Sequence, residues 1–454
     1  MTFSTSISKA YKTDILVIGS GSAGSVAALA ASKGKYKVTL VERYGFPGGT
    51  STQMLDTFYG FFTPSEQAKK IIGGLPDIIV NELNKSGNIF LRPNTYGAGT
   101  GVNYNPEKLK QVWDSFFINA GIQTLYHTTL VAVEKINERS ICVFFHKGIG
   151  FFTISAHRII DASGDADYCH WAGLAYERAG ESEPAQSMTT TFRMSNVSLE
   201  RYEQAGGKKM LKEKMAEAYK TGKYPLARKE GSAHEMCQQN CISTVAVKVT
   251  DLDPLDLEGI TMAEMEGRRQ AFVFEDFFRG EVPGYENSKI IGLSNQIGVR
   301  ETRRVFGEYR LTKEDCMQAK NFDDQVFLCG APIEDHRKAL DGKSETFWQY
   351  VPNGGTYGVP YRTLVPKNSE NTWVVGRCFS ATHDAHASCR SMAQTMSMGQ
   401  AAGFAAIQSL ENDIDAKNID TNKLRLLLVE NGAILKMPEN EADTSRNGWA
   451  NNFK

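Results

Sequence analysis

Long apolar runs are missing from this 454-residue chain, and so is any excess of charge. No stretch approaches the roughly 20 apolar residues that cross a bilayer as a helix, so a membrane span is not expected. Lysines and arginines number 51 against 52 aspartates and glutamates. That balance leaves no electrostatic footprint for nucleic acid or for an anionic membrane surface. The opening residues, up to Thr13, are polar and lack the apolar centre of a secretion signal. The eight cysteines are scattered, with Cys142, Cys169, Cys316 and Cys329 in apolar or mixed surroundings. They read as reduced thiols, and the cytoplasm is the expected compartment. Repeats, heptads and low-complexity tracts are also lacking. What remains is ordinary globular composition, 41% hydrophobic and 23% charged, in a chain long enough for two or three structural units.

The most informative stretch runs from Asp14 to Glu42. Ile15 to Ile18 is a short apolar run of the kind that forms a buried parallel strand. It leads into Gly19-x-Gly21-x-x-Gly24, a small-residue helix expected over Ser25–Ser32, and a second strand, Val38–Val41, that ends on Glu42. Gly19 suits a tight turn, Gly21 close approach of backbone to a pyrophosphate, and Gly24 close packing of helix on strand. Ser22 and Ala23, within the glycine turn, are expected to contact the cofactor, and the N-terminal N–H groups and dipole of the helix that follows favour an anion. Glu42 stands where an acid accepts hydrogen bonds from ribose hydroxyls. A lone glycine cluster is usually only a turn; here strand, turn, helix, strand and acid agree on a dinucleotide site.

Farther along, Arg43 opens a loop with Gly48, Gly49, Thr50 and Ser51, where backbone must come close to something. Helices are expected over Lys69–Asn84 and over Pro106–Asn119, where Pro106 suits a first turn. Thr128–Lys135, Ser140–Lys147 and Phe151–Ser155 read as a small antiparallel meander. Arg158 to Asp161 then returns to a buried strand followed by the acidic turn Ala162-Ser163-Gly164-Asp165. From 188 to 350 charge density rises and the glycine punctuation stops, with an exposed amphipathic helix over Lys208–Lys220. The first fold resumes with an apolar strand at Trp373–Val375, then Gly376-Arg377 and a long small-residue helix over Ser391–Ser409 that includes Ala393. The expected fold is α/β: a doubly wound, Rossmann-like domain from segments 1–187 and 351–454, with an inserted α+β domain over 188–350. The last forty residues are expected to wrap the surface.

These pieces together resemble the FAD-dependent oxidoreductase family of the glutathione-reductase-like flavoprotein class. The residues that carry the resemblance are GSGSAG with Glu42, ERYGFPGGTST, RIIDASGDADYCHWAG, QIGVRETRRVFGEYRLT, and the long segment YGVPYRTLVPKNSENTWVVGRCFSATHDAHASCRSMAQTMSMGQAAG. The resemblance covers some two thirds of the chain and implies FAD rather than NAD, lying extended across the sheet while the inserted domain closes over the ring. It places Val131 at the adenine by position alone. Gly48 and Gly49 would reach the phosphate or ribityl region, with Thr50 and Ser51 as hydroxyl partners. Asp165 is either a ribityl partner at a strand end or the capping acid of the next helix. The helix after Arg390 would aim its N-terminal dipole at the pyrimidine edge of the flavin.

Catalytic groups are expected just before that helix. His383 or His386 would accept a proton as hydride leaves a substrate C–H, or else hold loop geometry. Arg390, and Arg300 from the second domain, would clamp an anionic or carbonyl group, or serve as ion-paired structural residues. The spacing His383-x-x-His386-x-x-Cys389 resembles a zinc ligand set but lacks a fourth ligand, so no metal is expected. A second GxGxxG is missing, as are a CxxC near the first helix, a Trp-x-Trp pair and a hydroxylase-type Asp-Gly signature. The expected activity is a small-molecule dehydrogenase or oxidase: substrate gives hydride to FAD, and O₂ or an electron carrier takes the electrons away. The alternatives are a reductase of activated C=C or C=O bonds and a non-catalytic flavin-binding protein. Oligomeric state stays open.

Overall fold

The computed structural model describes residues 6–64, 68–92, 97–136, 139–337 and 346–437. At its centre the strand Lys9–Ile18 pairs in parallel with Val38–Val41 on one side and Gly150–Asp161 on the other. Gln123–Leu125 extends the sheet past Val38–Val41, and Thr372–Val374 lies along the end of Gly150–Asp161. The fold is therefore the expected α/β parallel sheet. Ile15 and Val17 pack into the cluster that holds the helices, while Leu16 and Ile18 face a second cluster with Phe144, Ile154 and Tyr168. Both faces are covered, which is why this strand reads as continuous apolar sequence.

The expected meander and the following buried strand are joined differently from the sequence reading. Gly150–Asp161 is one strand of twelve residues. Its first half pairs antiparallel with Arg139–His146, which pairs in turn with Thr129–Ile136. Its other edge runs parallel to Lys9–Ile18 from Phe152 onward, and at its end Thr372–Val374 takes the place of the antiparallel partner. Burial alternates until Arg158 and is continuous from Ile159 to Asp161. The change of pattern marks a change of neighbours, from one covered face to two.

The glycine helix spans Ser22–Ala31 with Gly21 at its N-cap, three residues earlier than the sequence places it, and every residue in it is buried. It packs on Met392–Asn412, the expected C-terminal helix extended to Asn412. A Cβ on Gly399 would lie 2.0 Å from the Ala23 carbonyl oxygen, and one on Gly403 2.5 Å from that of Ala27. The two helices touch backbone to backbone, which only glycine permits at those sites.

The helix expected over Lys69–Asn84 spans Leu75–Lys85, with Pro76 in its first turn. Lys70 lies instead in a bridge to Phe62, because Gly73 and Gly74 separate it from the helix and its buried ammonium reaches the Asp77 carboxylate at 2.5 Å. Pro106–Asn119 forms as expected, capped by the Asn105 side chain.

A separate apolar cluster draws on residues from Met188 to Ile297. It holds a four-stranded antiparallel sheet, in the order Ser232–Glu235, Ile242–Val245, Phe192–Ser195, Lys289–Leu293. The helices Gly207–Thr221 and Leu257–Glu281 cover it. Leu311, Val326 to Cys329 and Val351 pack into the first cluster. Thr421–Glu430 is a helix anchored by Leu424 and Leu428; residues 438–454 of the expected tail lie outside the described residues. Among the described residues no helix is long and apolar enough to cross a membrane.

Candidate active site

A cavity of about 350 Å³ runs from the glycine turn to the antiparallel sheet of the second cluster. At the turn Gly19 has φ +93°, and a Cβ there would meet the Ala162 carbonyl at 2.5 Å. A Cβ on Gly24 would lie 1.9 Å from the Gly19 carbonyl. Gly21 differs: nothing stands within 4 Å of its would-be Cβ, which projects into the cavity it lines. Gly19, Ser22 and Ala23 line the same wall. Glu42 does too, its Oε2 accepting from the Ser20 N–H at 2.8 Å and hydroxyl at 2.9 Å, its Oε1 from the Tyr44 N–H at 3.0 Å. Those bonds fix the carboxylate in one orientation at the strand end.

The second glycine loop is stitched to the first: the Gly48 N–H donates to the Ser20 carbonyl at 2.7 Å. Gly49 and Thr50 line the cavity, whereas Ser51 is buried behind it, donating to the Gly48 carbonyl. Ala162, Ser163, Gly164, Arg43, Gly376 and Arg377 complete this half. Val131 is not among the lining residues; Thr128, Thr129 and Leu130 are, since a bulge between Leu130 and Ala132 shifts the register there. Asp165 also lies off the cavity, its carboxylate held by Arg377 at 2.6 Å, Arg43 at 3.6 Å and the Thr302 hydroxyl at 3.0 Å. Burial would favour its neutral form, but the two arginines outweigh that and hold the carboxyl below its usual range. Arg377 also donates to the carbonyls of Gly164 and Val299, so it ties three loops together. Ala393 is buried, its N–H on the Tyr59 carbonyl, while Ser391, Met392 and Thr395 bring the start of the long helix to the cavity.

The structure places the expected histidines elsewhere. His383 sits behind the cavity wall, with Nδ1 3.2 Å from Glu301 and Nε2 3.3 Å from Asp335. Burial would lower its pKa, but the two carboxylates more than offset this and raise it to about 10, so it is an imidazolium at neutral pH. His386 donates from Nε2 to the Arg377 carbonyl at 2.6 Å; burial lowers its pKa to about 3 and keeps it neutral. Neither lines the main cavity. Arg300 and Arg390 do.

Sequence reasoning missed the pair that does reach the cavity. Asp56 and His234 both line it, from the segment before Thr57–Phe58 and from the edge strand Ser232–Glu235. His234 Nε2 lies 2.8 Å from Asp56 Oδ1, and both side chains are buried. For Asp56, burial favours the neutral form, but His234, with Arg92 and Arg193 behind it, holds the carboxyl below its usual range. For His234, burial dominates and lowers the pKa despite Asp56. The pair is thus a carboxylate and a neutral imidazole. Nε2 carries the proton donated to Asp56, and Nδ1 keeps a lone pair with no hydrogen-bond partner. A lone histidine in a short polar strand gives no sequence signal for this role; its partner is 178 residues away.

A parallel sheet with a glycine turn, a fixed strand-end acid and a cavity along its carboxyl edge defines a dinucleotide-binding α/β protein. The chain matches the family described as FAD dependent oxidoreductase over residues 14–428, and it belongs to that family. Its cofactor is FAD. No curated protein matches it. Among solved structures, a geranylgeranyl bacteriochlorophyll reductase-like protein from Thermoplasma acidophilum is 14% identical, over 93% of this chain and 85% of that one, at TM-score 0.48. The p-nitrophenol 4-monooxygenase of Pseudomonas putida is 10% identical over 97% and 93%, at 0.47. A flavoprotein/dehydrogenase from Cytophaga hutchinsonii is 12% identical over 92% and 86%, at 0.44. Likenesses this low carry no argument about the reaction.

The residues present fit FAD. Gly21 leaves open the space a side chain would fill, and the cavity wall carries the buried, unpartnered Gln53 Oε1. The long helix begins there without a side-chain cap, and its first residues line the cavity, so the positive end of its dipole favours an anionic or electron-rich group.

Proposed function

We propose that this chain is a dehydrogenase or oxidase of the glutathione-reductase-like class that oxidises a small hydroxyl- or amine-bearing substrate. Gly19, Gly21, Ser22, Ala23, Glu42, Gly49 and Thr50 would hold the adenosine and pyrophosphate portion of FAD. Ala162 to Gly164, Gly376 and Arg377 would hold the ribityl portion, with Gly24, Gly48, Ser51, Asp165 and Ala393 shaping these loops from behind. FAD, when bound, supplies the acceptor for a hydride, and O₂ or an electron carrier removes the pair of electrons.

The observation that carries the reading is the Asp56–His234 pair on the wall of the same cavity. When the substrate C–H leaves as hydride, a C=O or C=N forms and the O–H or N–H proton must go to a base. His234 Nδ1 is the acceptor: it is neutral and without a partner, and it comes within reach of the substrate when the ring, which lines the cavity, turns to expose it. Asp56 orients the ring and stabilises the imidazolium that results. Mixing the purified yellow protein anaerobically with hydroxyl and amine compounds tests this. One of them should bleach the flavin band in a single turnover, and His234→Gln should slow bleaching by roughly 10²–10⁴ with FAD content unchanged. Bleaching at the wild-type rate in His234→Gln would remove the proposed base.

A further inference from the structure

The cavity end opposite the glycine turn is lined by Arg228, Arg300 and Arg390, together with Glu334 and His336. These come from three parts of the chain: Arg228 from the loop before Ser232–Glu235, Arg300 from the turn after Ile297, and Arg390 from the end of the helix His383–Cys389. Arg390 is held in place, its Nη2 donating to Gln186 Oε1 at 3.0 Å and to the Glu334 carbonyl at 3.1 Å. Its Nε is buried and has no hydrogen-bond partner. That nitrogen has no accessible surface, so it is the remainder of the guanidinium, beside those of Arg300 and Arg228, that presents positive charge to a ligand in the cavity.

Of the neighbouring carboxylates, Glu334 lies among the arginines as their counter-charge, and the others are engaged elsewhere. Glu301 accepts from His383, from Arg304 at 2.7 Å and from the Gln186 N–H at 2.7 Å. Asp335 faces His383, and Glu334 Oε1 is 3.0 Å from His336 Nε2. The three arginines outnumber Glu334 on this wall, which leaves it positive in sign. Burial first, then Arg228 and Arg300, lower Lys248 to about 6 against the opposing pull of Glu334 and Glu230. His336 is driven well below its ordinary value by burial and then by Arg300, Lys248, Arg390 and Arg228.

We propose that this wall is the seat of a substrate carboxylate, so that the compound oxidised is a small organic acid held by Arg390, Arg300 and Arg228. Its identity as a substrate rests on the dehydrogenase reading above, whereas the anion seat itself does not. The carboxylate would anchor one end of the molecule while its hydroxyl- or amine-bearing carbon reaches the Asp56–His234 pair in the same cavity. Arg228 and His234, which flank the second-cluster residues Leu226 and Ala233, would then close on the same ligand as Arg390, which gives that part of the chain a role in recognition.

Succinate is a suitable probe, because it carries carboxylates and no hydroxyl for His234 to deprotonate. The FAD-loaded full chain is titrated with succinate, succinamide and inorganic phosphate at constant ionic strength, reading perturbation of the visible flavin band and the thermal midpoint. Succinate should saturate, succinamide should have no effect at equal concentration, and Arg390→Gln should weaken succinate at least tenfold. Arg390→Lys should retain part of the affinity, and Arg300→Gln serves if Arg390→Gln fails to fold. Succinamide binding as tightly as succinate, phosphate binding more tightly, or unchanged succinate affinity in a folded, FAD-replete arginine variant would overturn the proposal. Saturable succinate binding without bleaching by any hydroxy or amino acid would uphold the seat and sink the dehydrogenase reading.

Discussion

Replacing Asp56 by Asn removes one charge from the proposed base pair while nearly preserving its shape. Asp56 Oδ1 lies 2.8 Å from His234 Nε2, and both groups are buried. Once His234 has taken the substrate proton, the pair is a full ion pair. Two unit charges about 4 Å apart at an effective dielectric of about 20 attract by about 4 kcal/mol. That attraction is absent while the imidazole is neutral, so its loss falls on the barrier. At about 1.4 kcal/mol per factor of ten, Asp56→Asn should slow flavin reduction roughly 10³-fold. The pH profile adds a second signature. Reduction needs neutral His234, so the wild-type rate should fall off at acid pH, below the ordinary histidine value because burial lowers this one. Asp56 raises the His234 pKa against burial, so the Asn variant should move that limb to still lower pH while its plateau drops. Anaerobic stopped-flow reduction across pH, with FAD content measured in each sample, gives both quantities. A variant that reduces at the wild-type rate, or loses rate with the acid limb unmoved, would refute the argument.

Gly21→Ala should leave the thermal midpoint of the apoprotein unchanged and lower FAD retention at least tenfold on gel filtration, because its Cβ meets no protein atom and enters the cavity. Gly24→Ala should do the reverse: its Cβ would stand 1.9 Å from the Gly19 carbonyl, an overpacking that costs at least about 1–3 kcal/mol, read as a lower urea midpoint. His383 should make stability depend on alkaline pH. Its pKa is raised to about 10 in the fold, so its contribution is complete below the unfolded value near 6.5 and is lost as pH climbs through about 10. The shift sets an upper bound of about 5 kcal/mol, and His383→Gln should flatten the decline in midpoint between pH 7 and 10. An equal decline in that variant would assign the alkaline loss to other groups.

The dinucleotide half of the site was legible because its determinants are local. Gly19, Gly21, Gly24 and Glu42 fall within 24 residues, and each has a backbone reason to be what it is. Even there, Val131 and Asp165 show the limit: a bulge moves one off the wall, and two arginines hold the other. The opposite half is assembled by tertiary contact alone. Asp56 and His234 are far apart in sequence and sit in short strands or turns with no spacing rule. His383 and His386 looked catalytic because they adjoin the cofactor helix, but their helix turns them toward Glu301 and the Arg377 carbonyl. Helix starts were misplaced where glycine decides: Gly21 begins one early, and Gly73–Gly74 begins another late.

The backbone contact of Gly399 on Ala23 has a consequence for synthesis. The glycine turn leaves the ribosome well before the helix that backs it, with the whole second cluster translated between them. A nascent chain stopped before Met392 would carry Gly19 to Gly24 without its supporting partner, and should not retain FAD. Loading with cofactor is thereby postponed until translation has passed the second cluster, and a yellow polypeptide is one whose two distant segments have already met.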